Sequence, residues 1–171
     1  MRYQSDAPLP LDIRRAERIR EALTNLYEAN KHLPIIVEGK KDSQSLRGLG
    51  FVGEILTLHA GRKSFYEFSE EILENYGKVI LLFDWDPKGE SLLREVGSML
   101  EGRWEEFTPF RDVIKILCQK DIKDVESIPR LISRLEGTIG EPRLDIVDDP
   151  ALDGENNPRL KEMYKKGEIG R

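Results

Sequence analysis

The chain has 171 residues, 39 % of them hydrophobic and 35 % charged, with a formal net charge of −5. That length supports one domain with a core of its own plus an extension, and the negative balance excludes a broadly basic nucleic-acid-binding surface. Cys118 is the single cysteine, so an intrachain disulfide is excluded and a reducing compartment is expected.

The first ten residues, MRYQSDAPLP, have no apolar signal core. No apolar run approaches the roughly 20 residues that a membrane helix needs, so a cytoplasmic protein with no membrane association is expected. Residues 10–30 place Ile19, Leu23, Leu26 and Tyr27 on one helical stripe. Pro10 suits the first turn of that helix and Asn30 its end. LPIIVE (33–38) is short, apolar and β-branched, and reads as a buried strand. A short helix over 42–49 follows, closed by Gly50.

EILTLH (54–59) reads as a second strand. Ser64 and Glu67 form a capping box that opens a helix running to Tyr76 and stopping at Gly77. KVILLFD (78–84) carries the clearest strand pattern in the chain. Asp86-Pro87 opens a helix bearing Leu92, Leu93, Val96, Met99 and Leu100, which ends near Gly102. WEEF (104–107) reads as a fourth strand, and helices over 110–119 and 128–136 complete the body. The apolar neighbours of Cys118 make it a buried, inert thiol.

Residues 138–171 are rich in Pro, Gly, Asp and Asn and read as an irregular tail with one short helix near 158–166. Asp145, Asp148, Asp149, Asp153 and Glu155 fall within it, and without them the remaining formal charge is zero. A local basic patch is therefore compatible with the acidic whole. The chain divides into a helical extension (1–32), an α/β body (33–137) and the tail (138–171). Alternating strands and helices predict a parallel sheet of about four strands with right-handed crossovers and helices on both faces. Ligands in such sheets gather beyond the carboxyl ends of the strands.

Two strand ends carry the chemistry. The first runs into Glu38-Gly39-Lys40-Lys41-Asp42 and the third into Asp84-Trp85-Asp86-Pro87-Lys88-Gly89. If those strands are neighbours, the carboxylates of Glu38, Asp84 and Asp86 converge, and they repel unless a cation sits among them. Mg²⁺ suits such a patch because it takes oxygen ligands and keeps several waters. Gly39 and Gly89 allow close backbone approach to a ligand. Asp86 before Pro87 is also a good helix cap, and the two roles are compatible. Asp42 is read as a helix cap or a support for the site. Lys40, Lys41, Arg62 and Lys63 follow strand ends on the same face and are candidates for phosphate contacts, and His59 ends the second strand beside them. Trp85, Trp104, Phe65, Tyr66 and Phe68 read as packing residues.

IIVEGKKD and ILLFDWDPKGE, in that order and each closing a strand, resemble the two motifs of the Toprim domain. That domain is shared by bacterial-type primases, type IA and type II topoisomerases, overcoming-lysogeny-defect nucleases and ribosomal RNA maturases. The resemblance covers residues 33–127, and KDIKDVES (120–127) looks, more loosely, like a segment that follows the core in primases and maturases. The overall pattern is most similar to the small stand-alone Toprim proteins of archaea and bacteria. The resemblance implies a Rossmann-like α/β fold and Mg²⁺, with Mn²⁺ able to substitute. It gives Glu38 the role of general acid or base that also meets the metal, and Asp84 and Asp86 the role of metal ligands. It implies RNA or DNA as partner, phosphodiester cleavage or nucleotidyl transfer as activity, and a monomer or homodimer working with other processing proteins. The alternative is a non-catalytic Mg²⁺-dependent RNA- or nucleotide-binding module within a larger complex.

Strand passage is not expected, because no separate domain bearing a tyrosine nucleophile is found. One cysteine and two histidines leave no zinc module of the primase kind. A phosphatase of the haloacid-dehalogenase type is disfavoured, because Lys88 stands where that motif wants Thr or Val. A receiver-like phospho-acceptor is disfavoured because the first strand ends in Glu38 alone.

Overall fold

A computed structural model describes residues 8–59, 61 and 63–146. Arg62 and the helix expected near 158–166 lie outside the described residues. Helix α1 (Pro10–Asn30) is followed by β1 (Ile35–Val37), α2 (Lys40–Leu49), β2 (Ile55–Thr57), α3 (Phe65–Asn75), β3 (Ile80–Leu81), α4 (Pro87–Met99), α5 (Thr108–Cys118) and α6 (Ile128–Glu136). Among the described residues the sheet has three strands in the order β2-β1-β3, all parallel.

The expected fourth strand is corrected. Within WEEF, Glu105–Phe107 form a 3₁₀ turn that leads into α5. The spacing of the two aromatics explains it. Trp104 packs against Gly97 and Phe107 enters the core, three positions apart, while Glu105 and Glu106 between them are exposed. Apolar residues three apart share the face of a helical turn, whereas a half-buried strand needs them two apart.

Strand alternation divides the interior in two. Ile35, Val37, Ile80 and Leu82 face one side, where α1, α2, α5 and α6 supply Leu23, Leu26, Leu46, Ile114 and Leu131. Ile36, Leu81 and Phe83 face the other, where α3 and α4 supply Phe68, Ile72, Leu92 and Val96. Helix α1 is part of the larger core: Arg20 reaches Glu136 with two hydrogen bonds of 2.9 Å. The acidic tail begins by docking on the body, with the Leu144 N–H donating to the Leu49 carbonyl at 2.9 Å. No described helix is long and apolar enough to cross a membrane.

The strand order positions the site. After β1 the chain passes through α2 on one face, and after β3 through α4 on the other. The connections therefore diverge between β1 and β3, which opens a crevice at their carboxyl ends.

Candidate metal centre

Glu38 follows β1 and Asp84 follows β3, and the two strands are hydrogen-bonded neighbours with Ile36 opposite Leu81. The condition set by the sequence is met. Glu38 is only 8 % exposed, and its Oε1 accepts the Asp84 N–H at 3.2 Å. One oxygen of each aspartate is likewise held by backbone. Asp84 Oδ1 accepts from the Val125 N–H at 2.9 Å, and Asp86 Oδ1 caps α4 by accepting from the Gly89 N–H at 2.6 Å. Asp42 sits in the first turn of α2 and accepts from the Gly39 N–H at 3.1 Å. Helix α2 begins at Lys40, so Gly39 is its N-cap residue and Asp42 reaches back to it.

Among the described residues, no basic side chain is ion-paired with Glu38, Asp42, Asp84 or Asp86. Burial pushes the Asp84 carboxyl up to about 7, helped by the charges of Asp42, Glu38 and Asp124 and opposed by the Val125 N–H. Burial likewise pushes Asp42 up to about 6, with Glu38, Glu126 and Asp124 adding to the rise. Burial raises Glu38 as well, against the Asp84 N–H, with Asp86 adding and Lys88 and His59 moderating. A cation between such groups would relieve both burial and mutual repulsion.

The donor set fits a hard divalent ion, since it offers carboxylate oxygens and no thiol. Among the described residues, no three acidic or imidazole side chains stand close enough to ligate one ion together. Because each carboxylate already spends one oxygen on a backbone N–H, the arrangement suits a hydrated ion touched directly by one or two of them rather than a closed cage.

The glycines differ in what they do. A Cβ on Gly89 would stand 2.1 Å from the Asp84 carbonyl oxygen, so its absence lets the first turn of α4 close on the protein's own backbone. A Cβ on Gly39 would meet nothing within 4 Å, and its φ of −146° suits any residue.

The expected basic residues do not form one group. Lys40 and His59 line a cleft between α2 and β2. Lys41 lines a second cleft, toward α6. Lys63 is ion-paired with Glu71. Trp85 packs in the core and donates its indole N–H to the Ile122 carbonyl at 2.7 Å, pinning the segment that carries Asp124 and Val125. Cys118 is buried, and burial pushes its thiol up to about 12, as an inert packing residue requires.

Two features escape a reading of the sequence. Arg111 is 3 % exposed and donates to the Phe83 and Asp84 carbonyls at 2.7 and 2.6 Å, and to Glu90 at 3.1 Å. It thereby fixes the backbone of the Asp84 loop from beneath. Its signal is an arginine on the stripe that α5 buries with Ile114 and Cys118. Asp124 adds its charge to the crevice from KDIKDVES, and its signal is the loose resemblance of that segment alone.

A Toprim domain model matches residues 34–117. A UPF0292 protein of Methanosarcina barkeri is 37 % identical over 129 residues, covering 71 % of this chain and 85 % of that one. A UPF0292 protein of Thermococcus onnurineus is 37 % identical over 141 residues, covering 81 % of this chain and 94 % of that one. Among solved structures, a protein from Aquifex aeolicus matches with a TM-score of 0.51 and 27 % identity, over 63 % of this chain and 95 % of that one. Toprim domains generally bind a divalent metal and are associated with nucleic acids. With its motifs at the ends of adjacent parallel strands and these relatives over most of their length, the chain belongs to the Toprim domain family, alongside the small UPF0292 proteins of archaea.

Proposed function

We propose that the protein carries out Mg²⁺-dependent phosphodiester chemistry, cleavage or nucleotidyl transfer, on RNA or DNA. The observation that carries this reading is the meeting of Glu38 with the Asp84–Asp86 loop at the diverging ends of β1 and β3. Asp84 and Asp86 would hold the ion, with Glu38 as their neighbour. The bound ion would neutralise phosphate charge and orient the reacting oxygen. Glu38 moves the proton as general acid or base, because its second oxygen is not the one engaged by the Asp84 N–H. Arg111 keeps the loop in register by holding two successive carbonyls. Lys88 brings positive charge to the crevice mouth from the first turn of α4.

The test is titration calorimetry with Mg²⁺ and Mn²⁺ on the wild type and on Asp84→Asn/Asp86→Asn, with labelled RNA and DNA cleavage assayed on the same samples. Binding that the double variant loses, with metal-dependent cleavage by the wild type, is the expected result. Binding without cleavage would move the protein to the non-catalytic alternative. Absence of metal binding in the wild type, with nucleic acid present, would end the reading.

A further inference from the structure

We propose that the cleft between the amino end of α2 and strand β2 seats the phosphodiester backbone of the nucleic-acid strand next to the phosphate that the carboxylates address. The proposal rests on the reading above and assigns the path of the substrate away from the crevice. The cleft has a volume of about 580 Å³, within the range of ligand sites, and is lined by Gly39, Lys40, Ser43, Arg47, Thr57 and His59 among others.

Its position follows from the fold. Gly39 comes directly after Glu38, and the His59 N–H donates to the Glu38 carbonyl at 3.3 Å. A strand with one phosphate at the crevice therefore has this cleft as its immediate neighbour on the β2 side. Its charge points the same way, because no Asp or Glu among the described residues lines it. The cleft on the other side of α2 has a comparable volume of about 650 Å³, yet there Lys41 and Arg130 are offset by Glu126 and Glu141. An anionic strand distinguishes the two on charge alone.

Among the described residues, neither Lys40 nor Arg47 is ion-paired, so both charges are available to an anion. Arg47 is oriented by one hydrogen bond of 2.9 Å, from Nη1 to the Phe51 carbonyl. Gly39 supplies the remaining feature. Among the described residues nothing lies within 4 Å of where its Cβ would stand, so this lining position is open beside the first N–H groups of α2.

The experiment uses the full chain and fluorescein-labelled single-stranded RNA and DNA 12-mers, followed by anisotropy across a salt series with Mg²⁺ present. Lys40→Ala/Arg47→Ala is compared with Arg130→Ala in the other cleft. The basic-cleft variant is expected to bind about tenfold or more weakly and to show a salt slope smaller by about 1.4, the share of two phosphate contacts on a single strand. Arg130→Ala is expected to stay within about twofold of wild type. Lys40→Glu, at an exposed position that leaves the Phe51 contact intact, guards against a folding defect and is expected to lose at least as much. Calorimetric Mg²⁺ binding by Lys40→Ala/Arg47→Ala should match the wild type. Selective loss of oligonucleotide binding in a protein that binds no Mg²⁺ would uphold the cleft while the metal reading fell. An unchanged affinity and slope in Lys40→Ala/Arg47→Ala, an equal loss in Arg130→Ala, or no oligonucleotide binding by the wild type would overturn the proposal.

Discussion

Asp84 and Glu90 bracket the turn into α4, and their carboxyls are driven in opposite directions. Asp84 meets backbone N–H and three other acids, and burial carries it up to about 7. Burial alone would raise Glu90 as well, but hydrogen bonds from Lys115 at 2.8 Å and Arg111 at 3.1 Å bring it below its ordinary value. The chain pairs one half-buried acid directly with its own cations, and among the described residues it leaves Glu38, Asp42, Asp84 and Asp86 without such a pair. An internally paired site is structural. A site whose charge is left for an outside cation is arranged for a ligand.

The strongest way to break this contrast is to remove the internal cation. Arg111→Met leaves Glu90 with Lys115 alone and strands the Phe83 and Asp84 carbonyls. The expected cost is about 2–4 kcal/mol in chemical denaturation, as for two carbonyls left without their donor. A cost under about 1 kcal/mol would mean that this network does not hold the loop.

The next test sharpens the other half. The folded-state values of Asp84 and Asp42 lie above their ordinary ones, at about 7 and about 6, so the folded protein binds more protons than the unfolded chain between those limits. Stability from these groups is full in acid and is lost as pH rises through the folded values. Without divalent metal, Tm is expected to fall from pH 5 to pH 8 more steeply in wild type than in Asp84→Asn. Millimolar Mg²⁺ should raise the wild-type Tm more at pH 8 than at pH 5. An equal shift at both pH values would detach the acids from the ion.

The smallest effect is expected at Lys63, whose exposed pairing with Glu71 lies outside the crevice. Lys63→Ala should cost less than about 1 kcal/mol in the same denaturation assay and leave Mg²⁺ binding unchanged.

Local patterns by themselves determined much of this molecule. The alternation in KVILLFD separates Ile80 and Leu82 from Leu81 and Phe83, and the two pairs enter different cores. Pro10 and Asn30 bracket α1, Ser64 caps α3 through the Glu67 N–H, and Asp86-Pro87 starts α4. These features depend on neighbours within a turn or a strand, which a sequence displays directly. WEEF misleads because aromatic residues favour strands, while the three-residue spacing of Trp104 and Phe107 belongs to a helical turn.

Tertiary structure alone decided what the motifs amount to. Strand β2 lies between β1 and β3 in the chain but outside them in the sheet, and only that order puts Glu38 against the Asp84 loop. Sheet order is set by crossovers and by packing on both faces, not by chain order. Arg111 and Asp124 reach their places from separate elements, so no spacing in the sequence joins them to the motifs. The sorting of the lysines was also tertiary: neighbours on α2, Lys40 and Lys41 point into different clefts because successive helical residues face different sides. The sequence determined which residues could do chemistry, and the fold determined which of them meet.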